Sequence, residues 1–285
     1  MLEAWHLLSL DAPTVAVLWS YFFARTMGIH LPWHAPLILG IGTWLIYVAD
    51  RILDGFSKSP TVALHRRHRF HAQHRKAFLG AACVFGGILL SLIVSRMSAN
   101  ARSEDTVLFL IALLYLFLVH RPDGEFKVWL PKELAVGVVF AVATVVPAWS
   151  RLISGGAELL PGLVVFAALC WLNCVAIERW ESGSTPLLSN RSASHPTAAH
   201  ITTRWAADHL EVVALMISAI SLFLWIGTRM AVLSTAPIYL AAFVAAFCFA
   251  VMDRHRERFS MLHLRIAADV FLLTPLLLLP AIGWS

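Results

Sequence analysis

Apolar residues run along this chain in long unbroken blocks, separated by short clusters of arginine, histidine and lysine. The blocks fall near residues 8–29, 31–52, 77–95, 106–120, 134–150, 159–177, 210–228, 232–252 and 264–283. A bilayer core about 30 Å thick takes roughly 20 helical residues to cross, and most of the blocks reach that length. They lack the period-two alternation that a membrane strand needs. Only helices and closed barrels satisfy backbone polar groups inside lipid, so the pattern predicts nine membrane helices. The first block carries Asp11 near its start and is interrupted by Arg25. The fourth is the shortest, at about 15 residues, and spans a bilayer only with little tilt or with help from its flanks.

Composition sharpens this picture. Of the 285 residues 59% are hydrophobic and 14% charged, whereas soluble domains carry about 25% charged residues. A water-soluble enzyme is excluded, and the short polar connections leave one transmembrane domain over residues 1–285. A net charge of +5 would point a soluble protein toward nucleic acid. In a membrane protein basic cytoplasmic loops produce the same excess, so nucleic acid is not an expected partner. Fifteen Lys and Arg residues follow the second, fourth, sixth and eighth blocks, against five on the opposite side. The positive-inside bias then predicts a cytoplasmic N-terminus, a C-terminus outside, and cytoplasmic loops near 53–76, 121–133, 178–209 and 253–263. The expected location is a bacterial inner membrane. The N-terminus lacks the basic region of a secretory signal, so the first block is expected to be retained. Cys83, Cys170, Cys174 and Cys248 all lie inside apolar blocks, where they behave as small hydrophobes rather than as a disulfide framework or zinc site.

Candidate chemistry begins with an echo at three block ends. The chain reads Val48-Ala49-Asp50-Arg51, Ala176-Ile177-Glu178-Arg179 and Val251-Met252-Asp253-Arg254. An acid at a helix C-terminus is disfavoured by a few tenths to about 1 kcal/mol, so three such placements ask for compensation. Asp50 and Asp54 share a helix face at i, i+4, about 5–6 Å apart, where like charges repel. A hard cation such as Mg²⁺ relieves this, taking carboxylates while water or substrate phosphates fill its other positions. Salt bridges with Arg51, Arg179 and Arg254 are the structural alternative, although acids at membrane depth are functional by default. Arg265 and Asp269 form another i, i+4 pair, read as a buried salt bridge that fixes the last helix, with Asp11 able to join the same polar cluster. Cys170 and Cys174 share one face of the sixth block and read as packing.

The loop from Leu64 to Lys76 places His65, His68, His71 and His74 at every third position. On a helix that spacing drifts by about 60° per step, so only neighbours such as His68 and His71 share a face. Three readings stay open for it: a phosphate clamp or headgroup contact, a plain basic surface loop, or a transition-metal site. The doubled histidine of membrane di-iron oxidase boxes is missing.

The stretch Ile46-Tyr47-Val48-Ala49-Asp50-Arg51-Ile52-Leu53-Asp54 resembles the first signature of the UbiA superfamily of membrane prenyltransferases, Asn-Asp-x-x-Asp-x-x-x-Asp. Asp50 and Asp54 fall on its last two acids, while Ile46-Tyr47 stands where the family has Asn-Asp. Asn173, Glu178 and Glu181 stand where the family carries its second acid-rich motif, with Glu for Asp and a different spacing. The segment from Tyr115 through Lys127, Lys132 and Pro147 is similar to the family's fourth-to-fifth span region with its basic linker.

What the resemblance implies is a UbiA-like, all-α ring of nine helices around a cavity, with Mg²⁺-bound diphosphate at the cytoplasmic end. A lipid-facing tunnel would hold the prenyl chain. An allylic diphosphate would ionise, and an aromatic or other lipophilic acceptor would capture the carbocation. Asp50, Asp54 and Glu178 become the catalytic and metal-holding acids, with Glu181 beside them. Arg51, Arg69, His68, His71, Lys127, Lys132, Asn173 and Arg179 become the substrate contacts, the cations among them offsetting leaving-group charge. The partners implied are a polyprenyl diphosphate, a lipophilic acceptor and membrane lipids. Eleven Trp and 17 Phe residues supply π-faces for a cation, although interface belts and lipid packing account for most of them. A histidine-ligated di-iron lipid oxidase or desaturase, and a non-catalytic UbiA-like lipid-binding or transport protein, are the alternatives.

Overall fold

The computed structural model describes residues 7–57, 73–97, 131–152, 156–183, 200–231 and 233–282, with positions 5, 99, 102, 103, 106, 107, 110, 111 and 114; for 53–57, 182–183 and 281–282 it describes the backbone alone. Every regular element among these residues is helical. In chain order the α-helices among them are α1 (Asp11–Thr26), α2 (His34–Ser57), α3 (Arg75–Arg96), α4 (Lys132–Trp149), α5 (Leu160–Gly183), α6 (Ile201–Asp208), α7 (Leu210–Met230), α8 (Ala236–Arg254), α9 (Met261–Phe271) and α10 (Pro275–Leu278), with 3-10 turns at Gly156–Leu159, Arg256–Arg258 and Leu279–Ile282. Among the described residues six helices, α2, α3, α4, α5, α7 and α8, are long and apolar enough to cross a membrane. The chain is therefore an all-helical, multi-pass membrane protein.

Six of the nine expected blocks therefore give candidate spans among the described residues. The first block yields α1, whose 16 residues are about 24 Å long, short of a bilayer core. Asp11 in its first turn and Arg25 in its last complement the helix dipole. Gly28 then stops it in the left-handed region, at φ 67°, while the Ile29 amide donates to the Ala24 carbonyl at 2.8 Å. The described residues of the fourth block, 106, 107, 110, 111 and 114, are helical, and the remainder lies outside the described set. The ninth block is broken into α9, a turn over 272–274 and α10. Pro275 has no N–H and cannot continue the helical ladder. The Leu272 carbonyl released there accepts the Trp19 indole N–H of α1 at 2.7 Å, and the Thr274 hydroxyl donates to the Ala241 carbonyl at 3.0 Å. Irregular backbone at membrane depth survives only where protein groups satisfy it in this way.

Small residues set the close contacts. A Cβ on Gly137 of α4 would lie 2.7 Å from the Trp171 backbone nitrogen of α5, so only glycine permits that approach. Ala241, Ala242, Ala245 and Ala246 of α8 are fully buried, the small-residue face that lets membrane helices pack without a hydrophobic driving force. In contrast α3 buries only Phe78 and presents its apolar surface outward. The connection expected over 178–209 is helical at both ends, because α5 continues to Gly183 and α6 follows from 201. The His200 ring caps α6 by accepting the Thr202 amide at 3.3 Å.

Candidate functional site

At one end of the bundle the C-termini of α5 and α8 meet the N-termini of α4, α6 and α9. Asp253, 2% exposed, accepts at one oxygen from Arg179 Nε and from Trp180 Nε1, both at 3.0 Å, and pairs with Arg256 at 3.3 Å. A second nitrogen of Arg179 donates to the Ala207 carbonyl of α6. Glu181 pairs with Arg265 of α9, and the Thr203 hydroxyl donates to Glu133 at 2.7 Å. Arg254 pairs with Glu211 at 3.6 Å, both being exposed enough for this pair to contribute little. For Asp253, the acid of the third member, a salt bridge to an arginine of the echo is what the geometry shows. That arginine, Arg179 of the second member, reaches it from α5 to α8.

Tyr47 of α2, Asp11 of α1, Arg51, Cys170 and Cys174 gather at this same end, with Lys132, Glu133 and Asp269 close to Cys174. Asp11 is 3% exposed and accepts the Ala12 amide at 3.0 Å. The side-chain oxygen of Asn173 is buried and has no hydrogen-bond partner among the described residues. Such an acceptor costs stability unless a ligand or water meets it.

Between α2, α3 and α4 lies a cavity of about 500 Å³. Its α2 wall, including Ala35, Leu39, Thr43 and Ile46, repeats every three or four residues, which is one helix face. One more step along that face, from Ile46 by i+4, is Asp50. On α4 the wall runs through Val136, Val139, Ala143 and Pro147, and one step back from Val136 is Lys132. Asp50 and Lys132 are thus one helical step beyond the chamber's lining on α2 and α4. About 24 Å away along α2, the opposite mouth is framed by His34, Arg102, Ser150 and Arg151. There the Arg96 guanidinium lies 5.7 Å from the Trp33 ring centre, and that ring meets His34 edge-on at 5.8 Å. Arg151 is held by donation to the Pro147 carbonyl at 2.6 Å.

The residues singled out from sequence are distributed as follows. Asp50 and Arg51 are half-buried on α2, Asn173 is half-buried on α5, and Lys132 and Glu178 are exposed. Arg179 and Glu181 are engaged by Asp253 and Arg265. The Asp54 backbone continues α2, while its side chain, together with His68, Arg69, His71 and Lys127, lies outside the described residues. Among the described residues no group of three or more His, Cys, Asp or Glu side chains is placed to hold a metal ion by itself. The backbone places Asp50 and Asp54 one turn apart on α2. His34, Tyr47, Arg102 and Arg151 were not expected from sequence. Their only signal there is that Arg102, Arg151 and His34 stand on the side poor in basic residues, where each cation lacks an obvious loop role.

No protein-family model matches this chain, and comparison with curated proteins and with solved structures finds no match.

Proposed function

We propose that the chain is a UbiA-like intramembrane prenyltransferase, moving a prenyl group from a polyprenyl diphosphate to an aromatic or lipid acceptor. In this reading nine helices cross the membrane, the Asp50 end is cytoplasmic and the C-terminus lies outside. The observation that carries it is the shared face of α2. An apolar chamber of about 500 Å³ leads, one helical step on, to Asp50. A substrate with a long apolar tail and a polyanionic head needs those two environments side by side.

Asp50 and Asp54 would hold Mg²⁺ on the diphosphate, and the bound ion would supply charge stabilisation for the leaving group. Arg51 and Lys132 add fixed positive charge at the same end of the chamber. The allylic C–O bond breaks with its electron pair leaving on the diphosphate. Tyr47, lining the chamber beside Asp50, offers its π-face to the positive charge left on the prenyl carbon. The apolar walls keep water away until the acceptor forms the new bond and passes its proton to the departing diphosphate. The buried oxygen of Asn173 is available to accept a hydrogen bond from an acceptor hydroxyl.

The test is a thermal-melt titration of purified protein with geranylgeranyl diphosphate, with and without Mg²⁺. Wild type should show a Mg²⁺-dependent rise in Tm. Asp50→Asn and Asp54→Asn should fold, since each removes one of two repelling charges, and should lose that rise. Equal ligand-induced shifts in wild type and Asp50→Asn would overturn the assignment of the aspartate pair.

A further inference from the structure

We infer that the opposite mouth of the chamber, framed by His34, Arg102 and Arg151, is a binding site for an anionic single-chain amphiphile, its phosphate or carboxylate head on the cations and its chain in the cavity. The inference goes beyond the transferase reading and does not depend on Asp50.

Three observations carry it. The first is charge. At the Asp50 end Arg179, Arg254, Arg256 and Arg265 each meet a carboxylate, whereas no ion pair among the described residues involves Arg96, Arg102 or Arg151. Guanidinium groups at the rim of a low-dielectric cavity favour an anion and match the planar oxygens of phosphate and carboxylate. The second is fixation. The Pro147 carbonyl holds Arg151 by one nitrogen at 2.6 Å, leaving its other donors for a ligand. His34, the first residue of the 24-residue α2, brings the positive end of that helix dipole to the same rim.

The third observation is the wall beneath. Below the rim the chamber is lined by Ile38, Leu39, Leu89, Ile93 and Val139, all apolar. Gly42 and Gly86 also line it, and a Cβ added at either would meet nothing within 4 Å. Part of the chamber's width therefore comes from two missing side chains. A neutral lipid would leave the arginines unanswered, and inorganic phosphate would leave the apolar walls in water. An anionic head on one apolar chain satisfies both.

The experiment measures binding to the purified full-length protein in an uncharged detergent, using oleyl phosphate, oleate, oleyl alcohol and inorganic phosphate. Both anionic amphiphiles should bind about tenfold or more tighter than the alcohol, as expected for charge-assisted contacts. Arg102→Gln with Arg151→Gln should erase that preference without weakening the alcohol, and the corresponding lysine pair should retain most of it. Gly42→Leu, with Gly86→Leu as an independent second filling, should weaken all three chain-bearing ligands. Inorganic phosphate should not displace oleyl phosphate, and Asp50→Asn should leave the preference intact. The site is overturned if the alcohol binds as well as the anions, if the double glutamine variant keeps the preference, or if neither leucine variant weakens binding. Displacement by inorganic phosphate would reduce it to a simple anion contact, and loss of the preference in Asp50→Asn would put the head at the other end. Either result rejects the proposal.

Discussion

The two ends of this bundle both carry arginines, and Arg179, Arg256 and Arg265 at one end are used differently from Arg102 and Arg151 at the other. At the Asp50 end Arg179 and Arg256 converge on the buried Asp253, and Arg265 takes Glu181. These charges are answered inside the protein, and they tie α5, α8 and α9 together. At the His34 end Arg102 and Arg151 border a cavity with no carboxylate paired to either among the described residues. Charge alone therefore does not mark a binding site in a membrane protein. What marks it is charge that the fold leaves for something else to neutralise, next to space in which that something fits.

The contrast has measurable consequences, and the largest concerns Asp253. Asp253→Ala leaves the Arg179 and Trp180 donors without their acceptor in a buried setting, so unfolding stability should fall by about 3–5 kcal/mol. Denaturant titration followed by tryptophan fluorescence reads this directly, and a loss under about 1 kcal/mol would show that the pair is not structural. Glu181→Gln comes next. The Glu181 and Arg265 side chains are 25% and 15% exposed, and losing the charge should cost roughly 1.5–3 kcal/mol. The Mg²⁺-dependent Tm rise with geranylgeranyl diphosphate should persist in this variant. Its disappearance would move Glu181 from the ion pair into the metal site. The smallest effect belongs to Arg102→Gln, which without amphiphile should change stability by no more than about 0.5 kcal/mol. A cost near that of Asp253→Ala would reveal a structural partner for Arg102 and erase the difference between the two ends.

Much of the helical layout was legible because hydrophobic block length is a local property. The blocks behind α2, α3, α4, α5, α7 and α8 read directly as spans. The break in the last block had a visible cause in Pro275, yet its acceptability did not. The group that rescues the Leu272 carbonyl is Trp19, 253 positions away. Asp50 was legible through its spacing to Asp54 and its place at a block end. The chamber beside it was not, since periodicity places Leu39, Thr43, Ile46 and Asp50 on one face without saying whether that face meets a helix or an open space.

The sequence by itself determined the class of molecule: an all-helical, multi-pass membrane protein, with its charges gathered at the ends of apolar blocks. That follows from the bilayer, which rejects unpaired backbone and charge wherever the chain crosses it. Only the tertiary structure decided which charges cancel. Arg179 and Asp253 lie 74 positions apart and each could have met a ligand instead. They meet each other because α5 and α8 pack against one another. Among the described residues Arg102 and Arg151 have no such neighbour across the chamber that Gly42 and Gly86 help keep open. Pairing depends on the distances between helices, and those are set by packing between segments far apart in the chain, where no local pattern of hydrophobic and polar residues reaches.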